Sequence, residues 1–185
     1  MGFSLADCAR LMGGEVILIH GPVSINPPYG ITEICIISAH EMNQRVMEYF
    51  DNVDVVIMTA AIADYTPSVV SGQKIKKSQS SSELTLKLKR TKDILMELEN
   101  RKKNQYLVGF ALETEKLVEN AKSKLKTKKL DMIVANPLTE FTGFNTPNNS
   151  GVILFADGSS YELPLMSKRR MAMEILFKIG EKIHR

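Results

Sequence analysis

Four short apolar runs, at residues 16–19, 54–58, 106–111 and 132–135, recur along this chain with helical patterns between most of them. A run so short and so continuously apolar predicts a strand buried on both faces, the habit of strands in a parallel sheet. Parallel neighbours need crossover connections. The pattern therefore predicts an α/β fold, a Rossmann-like, mostly parallel sheet flanked by helices. Residues 31–37 give a further strand. Helices are predicted at 4–12, where Leu5, Cys8, Leu11 and Met12 recur before Gly13-Gly14, and at 40–50 and 91–101. Another is predicted at about 115–129, with Leu117, Ala121 and Leu125 on one face.

The remaining elements have different periods. Residues 152–155 and 161–163 flank Asp157-Gly158 as a hairpin. A last helix is predicted to start after Ser167 as N-cap, with Ala172, Ile175, Leu176 and Ile179 facing inward. Leu84, Leu86 and Leu88 alternate with Thr85, Lys87 and Lys89, the period of a half-exposed strand. With Ile75 this strand predicts a β-hairpin arm that turns around residues 78–82.

At 185 residues, 44% hydrophobic and 24% charged, with no repeat and no clear linker, residues 1–185 are expected to form one domain with its own core. Doubly wound folds normally open on a strand and a glycine-rich turn. This chain opens on a helix, so either the fold starts differently or that leading strand is absent. No apolar run nears the ~18 residues of a membrane span, and the N-terminus lacks a leader pattern. The expectation is a cytoplasmic protein without a membrane partner. Cys8 and Cys35 read as small buried hydrophobes in a reducing compartment. A net charge of +3 is too small to imply a nucleic-acid partner on its own, and none is expected. Lysines nonetheless crowd two stretches, 74–77 and 116–129, which suits a compact anionic ligand.

No GxGxxG, GxxxxGK[ST], HExxH or GxSxG motif is present, and His20, His40 and His184 form no evident triad or metal set. Four clusters carry possible chemistry. Small residues at 60–63 after a buried strand, among them Ala61, would let a ligand approach the backbone. Asp64 there either accepts ligand hydrogen bonds or helps hold a metal, or it caps a turn. Lys74 and Lys76 share one side of an extended segment and either bind a triphosphate or solvate an edge strand. Phe110 is either a platform for a flat ring or plain core. Lys124 and Lys128, at i and i+4, either hold an anion between them or coat a solvated helix face.

Read in order, the segments 60–65 (AAIADY), 74–77 (KIKK), 109–114 (GFALET), 124–131 (KLKTKKLD) and 133–136 (IVAN) resemble the motif series of the phosphopantothenoylcysteine synthetase domain of coenzyme A biosynthesis. Gly21-Pro22-Val23-Ser24, Gly143-Phe144-Asn145 and Asn148-Asn149 also match it, so the resemblance covers essentially the whole chain. It implies a Rossmann-like homodimer that joins 4′-phosphopantothenate to L-cysteine using CTP and Mg²⁺. The carboxylate would first form an acyl-cytidylate, releasing pyrophosphate, and the cysteine amine would then displace CMP. Carried over, Asp64 would recognise the nucleotide and Lys74 would stabilise the activation step. Phe110, Lys124, Lys128 and the segment Asp93-Ile94-Leu95 would line the CTP pocket, and Asn136 would lie near the site. The metal-holding residues stay unassigned, and no flavin is implied.

The chain departs from the pattern at Lys92, where the family usually has proline, and at its start. Met1-Gly2 aligns with the end of the family's N-terminal glycine-rich motif, so the domain reads as N-terminally truncated relative to the family. Its first strand and an asparagine tied to processing of the acyl-cytidylate have no counterpart here. Partners implied are the small-molecule substrates, a second copy, and a decarboxylase domain or N-terminal segment supplied elsewhere. The alternative is a catalytically incomplete nucleotide-binding or partner-binding fragment of the same family. A Rossmann-like oxidoreductase is disfavoured by the absent dinucleotide motif.

Overall fold

The computed structural model describes residues 1–76, 83–113, 116–139, 142 and 146–183. In chain order the elements are α1 (Gly2–Leu11), β1 (Ile17–His20), β2 (Thr32–Cys35) and α2 (Ala39–Tyr49), then a 3-10 turn at Phe50–Asn52. There follow β3 (Val55–Met58), β4 (Tyr65–Pro67), β5 (Leu88–Arg90), α3 (Ile94–Arg101), β6 (Tyr106–Glu113) and α4 (Leu117–Thr127). The chain closes with β7 (Met132–Pro137), β8 (Asn148–Phe155), β9 (Ser160–Ser167) and α5 (Lys168–Ile183).

The apolar runs are continuous because alternate residues enter different cores. Leu107, Ala111, Ile133 and Ala135 pack with Met42 and Val46 of α2, Leu98 of α3 and Ala121 of α4. Their neighbours Val108, Met132 and Val134 pack with Leu5 and Cys8 of α1 and Met171 and Ile175 of α5. Helices α2, α3 and α4 thus cover one face of the sheet, and α1 and α5 the other. The central sheet has the order β3-β6-β7-β8-β9. Its first three strands are parallel, and β8 and β9 add antiparallel. The expected α/β sheet flanked by helices is present, although it is mixed rather than mostly parallel.

Strands β1 and β2 form a separate parallel pair. Ile19 and Ile34 nevertheless pack on the same core as α2 and β6, so the pair belongs to the same layer as the main sheet. Neither β1 nor β3 is bonded to the other, and each keeps one edge unpaired among the described residues.

Several local readings hold. Ser167 caps α5, its Oγ accepting from the Arg170 N–H at 3.2 Å. At the hairpin, Gly158 takes φ 86°, which glycine adopts without a Cβ clash. The arm is built differently from expectation. Tyr65–Pro67 pairs antiparallel with Leu88–Arg90, leaving Leu84, Leu86 and Ile75 exposed and outside any strand. The expected turn at 78–82 lies outside the described residues. Cys35 is also corrected: it is exposed at the end of the free pair, and only Cys8 is buried.

Tyr106 opens β6 and is half-buried, and burial is the main reason its phenol is pushed up to about 12, with the Asp131 and Asp157 carboxylates adding to it. A folded-state pKa raised above the ordinary value near 10 gives stability that is intact below that pH. That contribution is lost as pH climbs towards about 12. Tyr106→Phe is expected to flatten this part of the alkaline fall in melting temperature. An identical alkaline profile in the variant would contradict the assignment.

Candidate functional site

Because β3, β6 and β7 are parallel, all three end at one edge of the sheet, and the chain leaving β3 there carries Ala61 and Asp64. After β3 the chain passes through Ala61 to Asp64, both exposed. Thr91 stitches this loop to the start of α3: its N–H donates to the Asp64 carbonyl at 2.9 Å, and its hydroxyl to the Ala63 carbonyl at 2.7 Å. Asp93 then caps α3, with Oδ1 accepting from the Met96 N–H at 3.2 Å. Its other carboxylate oxygen pairs with the Lys128 ammonium. The backbone at Asp64 is thus tied to the start of α3, whose cap Asp93 pairs with Lys128. Ile94 is buried and Leu95 packs on the same core, so these two offer a ligand their first-turn backbone N–H groups rather than side chains.

A second carboxylate–lysine pair lies beside the first. At the end of β6, Glu113 accepts from Lys124 Nζ at 2.6 Å and from Asn120 Nδ2 at 3.0 Å, both from α4. The Lys124 hydrogen bond, with that of Asn120, holds the Glu113 carboxyl below the usual carboxylate range. The spacing of Lys124 and Lys128 had suggested an anion between two repelling charges. In the structure each lysine has its own carboxylate, so their repulsion is answered within the protein. Glu113 stands within the 109–114 segment, where the apolar run before it points to Phe110 as the candidate; the position of Glu113 at a strand terminus was the available signal for it.

Other predicted residues stand apart. Phe110 packs with Val134 and the α1–α5 core, on the face opposite α4, so its ring does not share a face with Lys124. Asn136 lies near the end of β7 beside Leu112, is 4% exposed, and its Oδ1 has no hydrogen-bond partner among the described residues. An orphaned buried acceptor at the carboxyl edge of a parallel sheet suits a ligand N–H or an ordered water. Lys74 is exposed on the strap between β4 and β5 and bonds to none of the other candidates among the described residues. Lys77, Thr114, Phe144 and His184 lie outside the described residues. His20 is satisfied by the Gly21 carbonyl at 2.7 Å and Glu33 at 3.0 Å. No group of three or more potential metal ligands occurs among the described residues, and none of their helices is long and apolar enough to cross a membrane.

The fold is a helix-flanked α/β sheet in which the carboxylate–lysine pairs Glu113–Lys124 and Asp93–Lys128 join α4 to the end of β6 and the start of α3. The chain belongs to the family described as the DNA/pantothenate metabolism flavoprotein C-terminal domain, whose model matches residues 1–183. It is 47% identical over 182 residues to the coenzyme A biosynthesis bifunctional protein CoaBC of Bacillus subtilis, covering 97% of this chain and 44% of that protein. It is 43% identical over 187 residues to a protein of an unidentified prokaryote named cysteine/cysteine sulfinic acid decarboxylase, covering 100% of this chain and 52% of the relative. The chain thus spans about half the length of these curated relatives.

Among solved structures, the C-terminal domain of a CoaBC superposes with a TM-score of 0.83 at 37% identity, over 99% of this chain and 82% of that one. A Cab2 mutant in complex with phosphopantothenate-cysteine shares the fold alone, with a TM-score of 0.77 at 13% identity over 99% of this chain and 77% of that one.

Proposed function

We propose that this domain is a phosphopantothenate–cysteine ligase of coenzyme A biosynthesis that uses CTP. The observation that carries the reading is the row of groups at the sheet's carboxyl edge, Asp64, Asp93 with Lys128, and Glu113 with Lys124, at positions matching the family's motifs. The 4′-phosphopantothenate carboxylate attacks the α-phosphorus of CTP, and the bond to pyrophosphate breaks. The cysteine amine then attacks the acyl carbon, CMP leaves, and the amide forms. Activation is needed because a free carboxylate is a poor electrophile and oxide a poor leaving group.

Each residue has a distinct task in this scheme. Lys124 and Lys128 bind the nucleotide's phosphates, since an ammonium has three donors and each spends only part of that capacity on its carboxylate. The N–H groups of Ile94 and Leu95 at the start of α3 face negative charge favourably. Lys74, on a solvent-exposed strap, reaches the α-phosphate as substrates assemble. Asp64 reads nucleotide donors. Bound Mg²⁺ supplies further positive charge to the triphosphate, and Mg²⁺ generally takes only one or two protein carboxylates beside phosphate oxygens. The exposed Asp64 carboxylate, unengaged among the described residues, fits such a role. The same reading makes the protein a cytoplasmic homodimer.

Lys124→Ala and Lys128→Ala are each expected to weaken CTP binding by about tenfold or more, the loss of a charge-assisted phosphate contact. Calorimetry giving wild-type affinity in both variants would refute the pocket. The second reading, a nucleotide-binding fragment that cannot complete turnover, is favoured by the edges of β1 and β3 that are unpaired among the described residues. It predicts CTP binding without amide product.

A further inference from the structure

We propose that Glu113 is the positioning residue of the anion site: its carboxylate holds the Lys124 ammonium over the edge of the sheet, so that this lysine meets a phosphate already oriented. The inference rests on the nucleotide reading above and adds to it a residue on which binding depends. Three features distinguish Glu113 from an ordinary surface partner. It ends β6, where the backbone is pinned on the β7 side by the Leu138 N–H donating to the Glu113 carbonyl at 3.0 Å. The two side-chain oxygens are engaged separately, one by Lys124 at 2.6 Å and the other by Asn120 at 3.0 Å, so the carboxylate plane is fixed by two positions one turn apart on α4. The Glu113 side chain is 17% exposed whereas that of Lys124 is 50% exposed, so the acceptor is sheltered and the cation it holds remains open to solvent.

These features decide between two roles. A carboxylate that competed with the ligand would be free to swing towards the incoming anion's position. Glu113 is instead tied from two sides and mostly covered. One ammonium donor faces Glu113, and two remain for a phosphate. A flexible four-carbon side chain loses substantial rotamer freedom when it binds, and holding it beforehand removes part of that cost. Asp93 acts on Lys128 in a different setting, because its second oxygen is committed to capping α3.

The test is a double-mutant cycle on the full chain, with CTP and inorganic triphosphate as probes and calorimetry as readout. Glu113→Gln is expected to weaken CTP and triphosphate binding about tenfold in the wild-type background, and less than about twofold when Lys124 is already methionine. Glu113→Asp should recover part of the loss. Tighter binding by Glu113→Gln would show competition and overturn the proposal. An equal loss in both backgrounds would also overturn it, by showing that Glu113 acts on the fold and not through Lys124. Wild-type protein that binds neither probe would remove the nucleotide reading, and the inference with it. Wild-type binding together with an unaffected Glu113→Gln would leave the nucleotide reading standing and defeat this inference alone.

Discussion

Lys74→Gln is expected to abolish pyrophosphate release from CTP and 4′-phosphopantothenate while leaving the melting temperature unchanged. Activation gathers negative charge around a five-coordinate phosphorus. A cation placed there stabilises the transition state more than the ground state, and removing one such group typically costs about 10²–10³-fold in rate. Glutamine keeps most of the reach and the hydrogen-bonding capacity while deleting the charge, so the loss reports charge. The fold should not register the change. Lys74 is exposed and makes no hydrogen bond or ion pair among the described residues, and exposed substitutions of this kind usually stay within about 0.5 kcal/mol. Unchanged release would remove Lys74 from the mechanism. A large drop in melting temperature would show that the strap is structural.

Gly151→Ala carries the largest expected effect on stability. Gly151 lies on β8 where that strand crosses close to β7, and an added Cβ would stand 2.2 Å from the Ala135 carbonyl oxygen. It would also lie 3.1 Å from the carbonyl carbon and 3.3 Å from Asn136 Cα. Every one of these atoms is backbone in a central strand, so no side chain can swing aside. The register shift between Asn149 and Gly151 shows that β8 is already irregular here. The expected cost is about 3 kcal/mol, the upper part of the usual range for overpacking. Urea unfolding measures it, and a loss under about 1 kcal/mol would mean that β8 moves off β7 without strain. Because Asn136 Cα is one of the neighbours, nucleotide binding should weaken too if Asn136 lies at the site.

The central layer was legible because burial on both faces leaves a direct mark. A strand such as 132–135 can be apolar throughout only if both sides are covered, and two helix layers cover it. Ser167 and Gly158 were legible for local reasons, a cap oxygen and a positive φ. The arm was not. Leu84, Leu86 and Leu88 alternate like a strand, but a partner decides pairing, and Tyr65–Pro67 takes only the last of them. Cys35 was misread as buried because its apolar neighbours belong to a two-stranded pair set apart from the main sheet.

At the site, residue types were legible and their partners were not. Spacing placed Lys124 and Lys128 on neighbouring turns, but the carboxylates that meet them come from α3's cap, 35 residues before Lys128, and the end of β6, 11 residues before Lys124. Period-two alternation separates Phe110 from its neighbours, yet nothing local states which face carries α4.

The ligase assignment is tested most directly by mass spectrometry of this chain with 4′-phosphopantothenate, CTP, Mg²⁺ and L-cysteine. The account predicts CMP and the 4′-phosphopantothenoylcysteine amide in equal amounts. Absence of both products would contradict it.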